Sequence, residues 1–174
     1  MSKIRQTYRF LIPVIALAAL VVFMTGAGRR ERAKEEKNKA IVMRCVEVWN
    51  KGDMVLADEI YASNFIRHQD TVPEGIISGR EPFKQFIMAT RTAWPDFHVT
   101  VDDMIAEGDE VAIHVVIHGT FTGTVEGWPP PNGKEMVFEC LELIHLAGGK
   151  YVEQWTFIQD LVMFSQMGMK LVPA

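Results

Sequence analysis

Hydrophobic positions recur along this chain with two different periods, and the switch between them divides it. From about Ala33 to Trp49, the residues Ile41, Cys45, Val48 and Trp49 stand at i, i+4, i+7 and i+8, one stripe of an amphipathic helix facing a core. Asn50-Lys51-Gly52-Asp53 stops it, with Gly52 as the C-terminal signal and Asp53 as the N-cap of a short second helix, Met54 to Tyr61. Asn64 to Asp70 reads as a short extended piece, and Thr71 to Ile77, with Pro73 and Gly75, as a loop. Ser78-Gly79-Arg80-Glu81 has the form of a capping box. It opens a third helix whose inward face is Phe83, Phe86, Ile87 and Thr90. Pro95 ends that helix, because a proline disfavours the α conformation at the residue before it, here Trp94.

After Pro95 the period becomes 2. Phe97, Val99 and Val101 alternate with His98, Thr100 and Asp102 in a strand from Phe97 to Ala106, and Glu107-Gly108-Asp109-Glu110 is a turn. Val111 to Thr124 reads as a long strand, with Val111, Ile113, Val115 and Ile117 on one face and Ala112, His114, Val116 and His118 on the other. Trp128-Pro129-Pro130-Pro131-Asn132-Gly133 is a stiff loop that no strand accommodates. A strand pair follows from Glu135 to Asp160, turning at Ala147-Gly148-Gly149-Lys150, where the two glycines supply the positive φ of a tight hairpin. Leu161, Phe164 and Met167 are spaced as the face of a short terminal helix, Leu161 to Lys170.

Three helices followed by a four-stranded antiparallel meander make an α+β layout. Helices packed into one face of a strongly curved sheet leave a cone with an open end, a natural pocket for a single small ligand.

The first 30 residues stand apart. Lys3, Arg5 and Arg9 precede an uncharged run from Phe10 to Gly28, and Arg29-Arg30 close it. The most apolar part, Phe10 to Met24, suits the core of an export signal, and the whole run approaches the ~20 residues of a spanning helix. The expectation is a signal peptide or membrane anchor over 1–30, hence an exported or tethered protein. A charged linker or first helical turns follow over 31–39, and one domain covers 40–174.

Composition narrows the partners. The chain is 48% apolar and 23% charged with a net charge of −4, ordinary for a globular domain. That balance offers no basic face for nucleic acid. Two cysteines, Cys45 and Cys140, make no disulfide framework and read as buried thiols.

Five motifs occur in order: Ser78-Gly79-Arg80-Glu81, Trp94-Pro95-Asp96-Phe97, Ala106-Glu107-Gly108-Asp109-Glu110-Val111, Gly119-Thr120-Phe121-Thr122-Gly123 and Gly149-Lys150-Tyr151-Val152-Glu153-Gln154-Trp155. Together, over roughly 37–172, they resemble the SnoaL-like polyketide cyclases, or ester cyclases, of the nuclear transport factor 2-like superfamily. The resemblance implies an α+β cone around a hydrophobic ligand and an intramolecular aldol cyclisation that uses neither metal nor cofactor. It also implies an acidic side chain just after the Trp of the final strand as general acid and base. This chain differs there: Thr156 follows Trp155, and Gln159 stands where many members carry a second Asp.

The acid/base group must then come from elsewhere. His68 and Asp70, after the second helix, could pair as a general base and its orienting group. Glu142 shares a strand face with Phe138, Cys140 and Ile144, so it is the candidate buried carboxylate, while Glu139 faces the other way. His114 and His118 lie roughly 13 Å apart along one strand, too far to chelate one metal. His118, Trp49, Phe86, Gln154, Trp155 and Thr156 are the expected ligand contacts. These observations lead to a cofactor-free cyclase or isomerase acting on a small hydrophobic carbonyl compound, homodimeric through its sheet. The competing class is a non-catalytic binding module for an apolar ligand in the same pocket.

Overall fold

Helix α1 (Ser2–Lys51) carries the first apolar stripe, and Val42, Cys45 and Val48 are buried on it. The computed structural model describes residues 27–170, so the apolar run expected to direct export or anchoring lies, but for its last residues, outside the described range. Among the described residues no helix is long and apolar enough to cross a membrane. The charged stretch 31–39 continues α1 without a break. It is tied to the body by Asn38, whose amide donates to the Gly108 carbonyl at 2.9 Å, and by Lys34, 2.8 Å from Asp109. Gly52, at φ 69°, ends α1, and the Asp53 carboxylate then accepts from the amides of Val55 and Leu56 to cap α2 (Met54–Ile60). This is the local chemistry the sequence announces.

The sheet has six strands rather than four and is mixed rather than purely antiparallel. Strand β1 (Tyr61–His68) runs parallel to the last strand and antiparallel to the three-residue β2 (Ile76–Ser78). The remaining strands are β3 (His98–Glu107), β4 (Glu110–Thr120), β5 (Glu135–Ala147) and β6 (Lys150–Ile158). The order across the sheet is β2-β1-β6-β5-β4-β3. Sequence reading shortens β1 to Asn64–Asp70 because its inward residues, Tyr61, Phe65 and Arg67, lack a clean alternation. The register against β6 also shifts between Tyr61 and Ile66. Strand β2 is too short to leave any periodic signal.

Pairing to β1 also removes the expected capping box. Ser78 pairs with Ile66 inside the sheet, and the N-cap of α3 (Arg80–Ala93) is Gly79, which makes no side-chain cap bond. The inward face of α3 is as expected: Phe83, Ile87 and Thr90 are buried and Phe86 packs against them. Strand β4 ends at Thr120, four residues earlier than its pattern implies. The backbone there turns under the C-terminus of α3, where the amides of Thr122 and Gly123 donate to the Ala93 carbonyl at 3.2 and 3.0 Å. In α4 (Asp160–Gln166) the buried positions are Met163 and, just beyond, Met167, with Phe164 partly covered; Leu161 faces out.

The hairpin between β5 and β6 turns through Gly148 at φ 59° and Gly149 at φ 77°. Both central residues lie in the left-handed region, as a type I′ turn requires. This register decides which face each polar residue of the pair takes. Inward go Met136, Phe138, Cys140, Ile144 and Leu146 from β5, and Tyr151, Gln154 and Thr156 from β6. Both cysteines are buried and unpaired. Burial pushes the Cys45 thiol up to about 12, with Tyr61 Oη 2.7 Å away, so it packs as an inert group.

Candidate active site

Helices α1 and α3 cross the concave face of the sheet without filling it. A cavity of about 680 Å³ remains, of a size to hold a single small molecule. Trp49 from α1, Phe86 and Thr90 from α3, and the inward Ile113, Val115 and Ile117 of β4 form much of its wall. Trp128 from the proline-rich loop and Met163, Phe164 and Met167 from the last helical segment close it further. Two expected contacts, Trp49 and Phe86, therefore line the cavity.

One buried acid interrupts this wall. Glu142 lies on the inward face of β5 with a side chain 17% exposed, and it lines the cavity. Burial pushes its carboxyl above the usual carboxylate range, and the nearby Arg67 guanidinium works against that rise. Desolvation disfavours the charged form more than one imperfectly placed cation restores it. Glu74, another carboxylate on the lining, is exposed. Thr156 is the cross-strand partner of Glu142, and the Gln154 amide donates to the Thr156 hydroxyl at 3.2 Å. Gln154 and Thr156 are almost fully buried, forming a polar layer on the inward side of β6 beside Glu142.

Sequence reading missed Arg67. It is 3% exposed, points inward from β1 and lines the cavity. Its guanidinium carbon lies 5.7, 5.4 and 5.7 Å from the ring centres of Trp49, Phe83 and Phe86, within cation–π range. The signal in the sequence was slight: an arginine between Ile66 and His68 reads as solvent-facing until the parallel pairing with β6 turns it inward.

Other expected site residues fall on the opposite face. His68 lies 2.9 Å from Glu153 rather than beside Asp70, and its ring stacks on Trp155 at 4.8 Å. Asp70 is exposed. His118 pairs across β3 with His98, and Trp155 is flanked by His68 and His145, all on the convex side. The reason is strand parity: His68 is one residue from the inward Arg67, and Trp155 one from the inward Gln154 and Thr156. His114, on the same outer face, bridges Asp102 at 3.0 Å and Glu139 at 3.2 Å. Among the described residues no group of three or more His, Cys, Asp or Glu side chains is placed to hold a metal ion.

At the positions where the resemblance implied acids, Thr156 faces inward, whereas Gln159 makes an edge contact, its side chain accepting from the Glu139 amide at 3.2 Å. The adjacent Asp160 has one carboxylate oxygen buried without a hydrogen-bond partner. Burial first, and the neighbouring Asp70 charge second, raise its carboxyl.

Comparison with solved structures places this architecture among close likenesses. A protein of Jannaschia sp. CCS1, provisionally assigned as a SnoaL-like polyketide cyclase, superposes with a TM-score of 0.71 at 21% identity, covering 79% of this chain and 96% of its own. IdmH of Streptomyces antibioticus, provisionally assigned as a polyketide cyclase, gives 0.66 at 27% identity, covering 76% and 99%. AclR of Streptomyces galilaeus, provisionally assigned as a hydroxylase, gives 0.67 at 22% identity, covering 80% and 86%. A search of curated proteins finds no match. Residues 39–167, most of the chain and all of the cavity wall up to Met167, match the SnoaL-like polyketide cyclase family. With the six-stranded curved sheet and its covered cavity, that match shows that the chain belongs to the SnoaL-like polyketide cyclase family.

Proposed function

We propose that this protein catalyses cofactor-free acid/base chemistry on a small hydrophobic carbonyl compound, of the cyclase or isomerase type, with Glu142 as the proton-transfer group. The observation that carries this is a largely buried carboxylate, raised by desolvation, on the wall of a mostly apolar cavity that it shares with Arg67. A carboxyl in that state is suited to take a proton from a carbon activated by a neighbouring carbonyl. The C–H bond breaks, its electron pair enters the enolate, and the proton rests on Glu142. In a cyclisation the enolate carbon then bonds to a second carbonyl carbon of the same molecule. The resulting alkoxide recovers the proton from Glu142, so nothing is consumed. Thr156, directly opposite Glu142 across the β5–β6 pair, and Gln154, bonded to Thr156, flank the carboxyl from β6.

The experiment is deuterium exchange, which needs no knowledge of the natural product. Aryl β-keto esters in heavy water are followed by proton NMR for loss of the α-hydrogen, with and without protein. Wild type accelerates exchange, and Glu142→Gln lowers the acceleration by roughly 100-fold or more. An unchanged rate in the variant removes Glu142 as the acid/base group.

The second reading, a carrier for an apolar ligand, is favoured by Thr156, which has no carboxyl where the family's acid is expected. Native mass spectrometry of the protein purified from its own host would then find a bound, unaltered molecule. A homodimer through the convex sheet face also forms part of the proposal. It is supported by Leu141 and Phe157, direct cross-strand partners that are 58% and 63% exposed. Export or anchoring through residues 10–28 completes it.

A further inference from the structure

Arg67 has an unusual standing among the buried groups. Its Nε donates to Gln69 Oε1 at 2.8 Å, and Gln69 in turn donates to the Thr71 hydroxyl at 2.6 Å. One edge of the guanidinium is thereby fixed, while three aromatic rings hold its plane. The other edge is unfinished. Nη1 is buried with no hydrogen-bond partner, and Glu142 Oε1 stops at 3.5 Å, an ion pair without a hydrogen bond. Leaving a buried guanidinium N–H unpaired is costly, and such a group at a cavity wall is a donor in wait of an acceptor. The Thr90 hydroxyl on the same wall, one helical turn from Phe86, is also buried without a partner.

We infer that Arg67 is an oxyanion anchor, and that the cavity takes a flat apolar carbonyl compound whose carboxylate or ionised enol oxygen docks on Nη1. This deepens the reading of the same site, and rests on it in so far as Glu142 and the anchored oxygen act on one ligand. A guanidinium already braced by Gln69 and the aromatic rings loses little freedom when it binds an anion, and its fork suits a planar oxyanion. The aromatic rings around it offer stacking faces to a flat ligand body. Glu142 competes for the same cation, so removing its charge strengthens anion binding, whereas a purely structural Arg67–Glu142 pair would gain nothing.

The test is binding, kept separate from turnover. 2-Naphthoate and its neutral isostere 2-naphthamide are titrated by calorimetry against the whole protein. Wild type binds the carboxylate at least tenfold tighter than the amide. Arg67→Met abolishes that preference while changing amide affinity less than threefold. Glu142→Gln, which keeps the shape of the site, raises carboxylate affinity about fivefold and serves as the readout if Arg67→Met does not fold. Equal affinity for the two probes, no binding of either, or a preference that survives Arg67→Met overturns the anchor. So does a Glu142→Gln variant with no gain. An anion preference without any proton exchange leaves the anchor standing and removes the acid/base function instead.

Discussion

Glu142 draws its chemistry from where it is held rather than from what it is. A carboxyl on the outer face of β5, such as Glu139, is solvated; three residues along, the same group is pushed upward by burial. If Glu142 is the base, only its ionised form takes the proton. The acid limb of the rate profile then lies above 4.5, the ordinary value for this group, and activity rises with pH through that raised point. A limb at the usual carboxylate value, or none between pH 4 and 8, would remove it as the base. His114 titrates in the opposite sense. Its bond to Glu139 first, and that to Asp102 after it, hold the imidazole above 6.5. The folded form therefore binds the proton more tightly than the unfolded chain. The stabilisation is complete below about pH 6.5 and is lost as pH rises through the raised value. Melting curves of wild type and His114→Gln should differ at pH 5.5 and converge at pH 9.

Between elements, two of the motifs that signalled the family prove to be halves of one clasp. The Asp96 carboxylate accepts from the Thr120 amide at 2.6 Å and from the Thr120 hydroxyl at 2.7 Å. Beside it Gly123 sits so close to the end of α3 that an added Cβ would lie 1.7 Å from the Thr92 carbonyl oxygen. No rotamer relieves a clash with backbone. Gly123→Ala should cost on the order of 3 kcal/mol or more, read as a large fall in melting temperature with the helix content of the remaining folded protein unchanged. A shift under about 2 °C would mean that the α3 terminus moves aside freely. The clasp fixes Trp94 and the loop carrying Trp128, whose rings meet edge to face at 5.1 Å on the cavity wall.

At the scale of the whole molecule, the sheet has one face committed to the cavity and another that stays partly apolar. Val137, Leu141, Leu143 and Phe157 are exposed on the convex side, where all five histidines also lie. Replacing Leu141 and Phe157 together with lysine should turn a dimer into a monomer by sedimentation while leaving the circular dichroism spectrum intact. A wild-type monomer at micromolar concentration would dismiss the interface. The N-terminal reading is checked by fractionating the native host, with the protein expected in the exported or membrane fraction; a cytoplasmic protein with its leader intact would refute it.

Periodicity alone determined the helices α1 to α3, the meander from β3 to β6 and the glycine hairpin, because each is encoded by neighbours in the chain. Local pattern also singled out Glu142, since the parity of β5 ties it to Phe138 and Cys140. What only the tertiary structure decided was the partner of β1. The parallel pairing of β1 with β6 joins residues as far apart in the chain as Arg67 and Gln154, and no turn or spacing records it. That pairing sets His68 outward against Trp155 and Arg67 inward beside Glu142, while the antiparallel β2 on the other side of β1 ends the capping box by drawing Ser78 into the sheet. Side-chain parity is local; the choice of which strand lies alongside is made by burial of the assembled core.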